Sequence, residues 1–352
     1  MDELTLLRST RDDTREPSER ALMAGRTALI DRIAADVPAP VRAHRARRTR
    51  RWSSLVAVGA TTAAVAVVAV NVFGISGWRG GADPAAASVL EAAASATLAF
   101  TDPVVAADQY LRVETEYTGT LVGILTGGVA TQFIISSGRS ELYVPGNRDE
   151  DWVWVQCAPT TVETFGPDSE ELAAQIADDN VDTFRVAPGG ELYEGANLTG
   201  NIDYTDLPRD ANALLDTIYD LTTAEEGGPA GRSRDGAALT FIADTLRIGT
   251  VPADLRAALY RAAAKIPGVT ITEEQVTLNG STGIALGRLE TAGNIQQDII
   301  IDPKNGQFIG EREIALDSEN GIPPGTITQS AAVTTTVVNT APTDTSLCTA
   351  DR

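Results

Sequence analysis

Hydrophobic residues fall along this chain in three patterns, and the longest run comes first. Residues 53–77 give 25 consecutive positions without a charge, including Ala63-Ala64-Val65-Ala66-Val67-Val68-Ala69-Val70. At about 1.5 Å per residue such a helix reaches roughly 37 Å, enough to cross a ~30 Å hydrocarbon core with some tilt. Wholly apolar core helices are seldom longer than about 10–14 residues, and the charged region of a cleaved signal peptide is short, whereas 52 residues precede this block. The pattern predicts an uncleaved transmembrane helix over 53–78. Trp52 and Trp78 stand at its two ends, where amphipathic rings favour the interface.

Before the span the period is helical. Residues 2–13 and 18–36 read as short helices, the second capped by Ser18 and stopped by Pro38 and Pro40. Leu22, Leu29, Ile30, Ile33 and Val37 share one face, so this segment is amphipathic and too short to bury that face alone.

After the span, helix and strand periods alternate in blocks. Asp83-Pro84 reads as a cap and first position of a helix through 85–98. Strands follow at 110–117, 121–125, 129–136, 141–144 and 152–156, with Gly127-Gly128 as a hairpin signal. A helical middle covers an acidic stretch starting at Asp168 and ending near Asp178, then 208–221, 236–247 and 253–266, stopped by Pro267-Gly268. The end returns to strands at 269–272, 275–278, 283–289, 296–301, 307–314 and 326–338, with tight turns at Asn279-Gly280 and 302–306. Strands, then helices, then strands predict an α+β fold: a twisted, half-barrel-like antiparallel sheet covered by helices.

Charge sorts these blocks into compartments. Residues 1–52 hold 12 Arg against 8 Asp plus Glu, whereas 80–352 hold 15 basic and 40 acidic residues. Arg42, Arg45, Arg47, Arg48, Arg50 and Arg51 crowd the front of the span, and only Arg79 follows it closely. Basic flanks stay in the cytoplasm, so 1–52 is expected inside, 53–78 in the plasma membrane, and 79–352 outside as one extracytoplasmic domain. The bilayer is thus the first expected partner, its anionic headgroups meeting the arginine collar. A net charge of −20 argues against direct nucleic-acid binding.

The two cysteines, Cys157 and Cys348, both fall in the exported part and are expected to form a disulfide. Chemistry otherwise finds few candidates. The single histidine, His44, lies on the cytoplasmic side, so a His-based triad is excluded outside. Lys265 and Lys304 follow no Ser-x-x-Lys pattern, and no phosphate or dinucleotide loop is present. Two thiols without an accompanying His do not complete a metal shell. Glu170, Glu171, Asp178, Asp179 and Asp182 read as a solvated acidic face rather than a calcium loop, which would need its glycine and terminal Glu. No catalytic residue, metal or cofactor is therefore expected. Trp152 and Trp154 alternate on one strand and are candidate walls of an apolar pocket, against the commoner role of core packing.

Several stretches carry a resemblance. Met1-Asp2-Glu3-Leu4-Thr5-Leu6-Leu7-Arg8, the Arg-rich flank with one span, Val251-Pro252-Ala253-Asp254-Leu255-Arg256-Ala257-Ala258-Leu259-Tyr260-Arg261, Ile266-Pro267-Gly268-Val269, and Ile301-Asp302-Pro303-Lys304-Asn305-Gly306 before Gly310-Glu311-Arg312 together resemble an actinobacterial family of single-pass membrane proteins found alongside extracytoplasmic-function sigma factors. That resemblance implies a sensor or anti-sigma-like regulator with a cytoplasmic sigma factor or other regulatory protein as partner, and it carries no catalytic residues. The element order of 79–352 is also similar to the half-barrels of periplasmic lipoprotein carriers and envelope sensors, which implies a lipid or other apolar ligand as the alternative role. Residues 1–52 contain no Cys, so the zinc-binding motif of one anti-sigma class is missing, and a sigma-factor contact would fall to the two short helices.

Overall fold

The computed structural model describes residues 80–349 apart from 101, 125–130, 167, 190–205, 224–231, 292 and 319–320. The expected helices at 2–13 and 18–36, the span 53–78, the arginine collar with Arg47, Arg48, Arg50 and Arg51, and Trp52 and Trp78 lie outside them. Among the described residues no helix is long and apolar enough to cross a membrane.

The fold is α+β. Helix α1 (Pro84–Ala99) precedes strands β1 (Tyr110–Ile124), β2 (Thr131–Pro145), β3 (Asp151–Gln156) and β4 (Thr160–Phe165). Helix α2 (Ser169–Asp179), β5 (Thr183–Pro188) and helices α3 (Ala211–Thr223), α4 (Arg234–Arg247) and α5 (Ala253–Ala263) follow. Strands β6 (Thr270–Leu278), β7 (Ser281–Glu290), β8 (Ile295–Asp302), β9 (Gln307–Ala315) and β10 (Ile327–Val338) complete one ten-stranded antiparallel sheet. Its order is β5-β3-β2-β1-β10-β9-β8-β7-β6, with β4 paired to β2. The outermost strands β5 and β6 do not pair with each other, so the sheet is open.

Local chemistry explains most boundaries. Asp83 accepts the Ala85 amide at 2.9 Å and Pro84 opens α1, the expected cap. Ser233 caps α4 by accepting from the Gly236 amide at 3.0 Å. Behind that cap the buried Glu290 carboxylate accepts from the Ser233 amide at 2.7 Å, placing negative charge at the helix N-terminus. Asn279 and Gly280 take φ of 41° and 76°, the pair of positive values a two-residue hairpin turn needs.

Four expected strands merge into two. The predicted breaks at 118–120 and 137–140 are bridged, because β1 and β2 pair continuously from Tyr110↔Pro145 to Ile124↔Thr131. Gly138 sits inside this ladder beneath the Tyr117 ring, where a Cβ would come within 2.5 Å of the phenol oxygen. The expected strands 269–272 and 275–278 likewise form one β6, bent by irregularities between Ile271 and Val276. Two strands were not expected at all, β4 and β5. Both are short and largely exposed, so neither shows a buried alternation.

Helices α1, α3, α4 and α5 lie on one face of the sheet, as expected. Leu90, Leu214, Ile218, Leu239, Ile242, Leu255, Leu259 and Tyr260 are buried there against Val113, Leu142, Val144, Leu286, Ile299 and Ile301. Fully burying each such side chain contributes about 1.5–3 kcal/mol, which makes this layer the main source of stability.

The opposite face is different. The C-terminal tail packs Leu347 and Cys348 against Tyr143, Val153 and Val155. Cys157 and Cys348 are disulfide-bonded with Cα atoms 5.3 Å apart. Elsewhere on this face lies a buried polar set. Asp298 accepts from Arg312 Nε at 2.9 Å, Thr272 Oγ1 at 2.8 Å and Gln296 Nε2 at 3.1 Å, and Arg312 also reaches Glu273 at 2.8 Å.

Candidate functional site

The sheet parts between β9 and β10, where β9 carries an irregularity. A register shift between Ile300 and Ile301 leaves Ile309 as an extra residue on β9. Pairing of β9 with β10 then ends at Ala332↔Gly310, while β10 runs on beside β1 to Val338↔Tyr110. The diverging end of β9 is held elsewhere. Tyr260 Oη on α5 and Thr97 Oγ1 on α1 both donate to the Gly306 carbonyl, at 2.9 and 3.0 Å. Gly306 is needed there: its φ is 71°, and a Cβ would lie 2.2 Å from the Ala93 carbonyl oxygen.

The cleft opened by this divergence is a cavity of about 470 Å³. Pockets that bury drug-sized ligands fall between ~300 and 1,000 Å³. Its lining joins the apolar Leu111 of β1, Val144 of β2, Val333 of β10, Phe308 of β9 and Leu246 of α4 to the polar Thr335, Asn305 and Gln307. The outer wall is the segment between α1 and β1, through Phe100, Pro103 and Val105. Phe100 and the adjoining Val104 are 57 and 84% exposed, so the rim itself presents apolar surface to solvent.

Two guanidinium groups face this cleft. Arg148, between β2 and β3, donates to the Thr250 carbonyl at 3.2 Å. Arg256, on α5, donates to the Val251 carbonyl at 2.6 Å and forms an ion pair with Asp102. A partly apolar cleft with charged groups at the rim suits amphiphilic molecules, apolar part inward; among the described lining residues no nucleophile is paired with a base.

The tryptophans stand just behind this wall. Trp152 is buried in the main core and donates its indole N–H to the Arg148 carbonyl at 3.0 Å, so it positions a rim residue rather than lining the cleft. Trp154 packs partly against the same core, with the Arg185 guanidinium 5.5 Å from its ring centroid. The five acidic positions do not converge. Glu170, Glu171, Asp178 and Asp179 are exposed on α2, and Asp182 accepts the Ala158 amide at 2.8 Å. A second cavity of about 610 Å³ lies beside Cys157 and Cys348, lined by Glu116, Thr118, Arg139 and Ser330 together with Leu278 and Ala332.

One buried acidic group stands close to the site. Glu311 of β9 faces α4, its Oε1 3.2 Å from Arg247 Nη1. Burial pushes its carboxyl up to about 7, Arg247 opposing and the neighbouring Asp244 and Glu313 adding to the rise. Asp244 is also raised, by burial first.

Sequence reasoning did not find Asp102, Arg148 or Arg256 as site residues. Residues 100–108 have no helix or strand period, and Arg148 lies in a turn; only the fold brings them to one cleft. No protein-family model matches the chain, and no curated protein matches it.

Proposed function

We propose that this chain is a non-enzymatic, membrane-anchored sensor or regulator of the cell envelope whose 79–352 domain, a curled half-barrel, receives an apolar ligand. The observation that carries this reading is the apolar cleft where β9 and β10 part. A residue-sized insertion opens it, and hydrogen bonds from two helices to one carbonyl keep it open, so the cavity is built into the topology.

The remaining support comes from the sequence. The uncharged block 53–78 with its arginine collar favours a cytoplasmic N-terminus and an extracytoplasmic domain, and the disulfide suits an oxidising compartment. The amphipathic face of 18–37 and the resemblance to the sigma-factor-associated family favour a cytoplasmic regulatory partner, reached by an unmodified helix face rather than through zinc. Among the described lining residues no acid is matched with a base, which favours binding over catalysis.

The test is the purified full-length chain analysed by native mass spectrometry after gentle extraction. An amphiphilic small molecule should co-purify, and Val333→Trp, which fills the cleft, should abolish it. A chain that carries nothing, and that binds no apolar probe in solution, would remove the ligand half of the proposal. Protease added to intact cells should cut 79–352, and sparing of that part would remove the topology.

A further inference from the structure

We infer that the cleft takes an amphiphile ending in a carboxylate, and that Asp102 holds the place on Arg256 that the ligand's carboxylate takes on binding. This inference rests on the ligand-binding reading and names the head group it requires.

The rim is an electrostatic exception. Residues 80–352 carry 15 basic and 40 acidic residues, so most of the domain surface repels anions. At the cleft, two guanidinium groups are tethered to consecutive carbonyls, Thr250 and Val251, at 3.2 and 2.6 Å. Both arginines line the same cleft. Among the described residues Arg148 has no carboxylate partner. Of the acidic residues that follow it in the chain, Glu150 accepts from Asn147, and the Asp149 amide donates to Asn147.

Arg256 shows which anion fits. Both of its terminal nitrogens address the Asp102 carboxylate, Nη1 at 3.3 Å from Oδ2 and Nη2 on Oδ1, a forked arrangement. Asp102 belongs to the outer wall, between Phe100 and Pro103. The pair therefore ties that wall across the cleft. With side chains 22 and 46% exposed, it is a surface ion pair, worth a factor of only about two to five. A carboxylate brought in on an apolar chain displaces Asp102 at small cost and gains Arg148 as well. Displacement frees the 100–105 segment at the moment the chain enters.

The experiment is photocrosslinking of the full-length chain in lipid nanodiscs with a diazirine-bearing long-chain fatty acid and its matched fatty alcohol. The acid should label cleft residues such as Phe308 and Val333 at least about fivefold more than the alcohol. Arg148→Gln should bring the acid down to the level of the alcohol, Arg148→Lys should preserve most of the preference, and Asp102→Asn should raise labelling by the acid about two- to fivefold without changing the alcohol. Equal labelling by both probes, unchanged in Arg148→Gln, overturns the head-group assignment and leaves the apolar cleft standing. Labelling by neither probe overturns the cleft reading itself. A fall with Asp102→Asn overturns the exchange.

Discussion

Replacing Glu311 by Gln should remove a pH dependence of stability that the unaltered protein carries. Glu311 is 7% exposed between β9 and α4, with Arg247, Asp244, Arg232 and Glu313 as its charged neighbours. Arg247 is shared with Asp244 at 2.6 Å, and Arg232 is bound to Glu313, so three carboxylates face two guanidinium groups. Burial wins, and the Glu311 carboxyl moves from 4.5 up to about 7. Between those values the folded protein holds a proton that the unfolded chain has released. Stability is then fully present below about 4.5 and is lost as pH rises through about 7. At about 1.4 kcal/mol per pH unit the loss is roughly 3 kcal/mol. Gln has the same shape and stays neutral, and Oε1 accepts no hydrogen bond that the amide would forfeit. Urea unfolding at pH 5, 6, 7 and 8, followed by the fluorescence of Trp152 and Trp154, should show the unaltered protein weakening relative to Glu311→Gln as pH rises. Parallel pH profiles for the two proteins would refute a neutral buried Glu311.

Three further outcomes follow from the packing. Cys348→Ser releases a loop closed over a separation of 191 residues and should lower stability by up to ~5 kcal/mol, read in non-reducing and reducing denaturation curves. Asp298→Ala removes the fully buried partner of Arg312, which keeps Glu273 at 2.8 Å, and should cost about 1.5–3 kcal/mol in the same assay; a loss below about 0.5 kcal/mol would mean Glu273 alone satisfies Arg312. Tyr260→Phe removes one of the two donors to the Gly306 carbonyl and should cost about 1–2 kcal/mol, with hydrogen exchange rising in the 303–308 hairpin and not in β1.

The elements with strong local signals were legible in the chain. Asp83-Pro84, Asn279-Gly280 and the apolar stripe of 253–266 set a helix start, a hairpin and a core helix where they were expected, because caps, turns and amphipathic faces are decided by residues a few positions apart. The alternation of strand blocks with a helical middle was enough for the α+β class and for helices on one face. The same local evidence misplaced strand ends, as at Gly138, which pairs with Tyr117 inside an unbroken ladder. It also missed β4 and β5, whose pairing partners, not their own hydrophobicity, make them strands.

By itself, then, the sequence determined the cysteines available for a bond and the class of fold. Tertiary structure alone decided the cleft. Asp102, Arg148, the 250–256 stretch and Phe308 come from four separate parts of the chain, and they meet where one extra residue in β9 parts it from β10. Neither periodicity nor composition records such an insertion, since a bulge is defined only by the partner strand it fails to match.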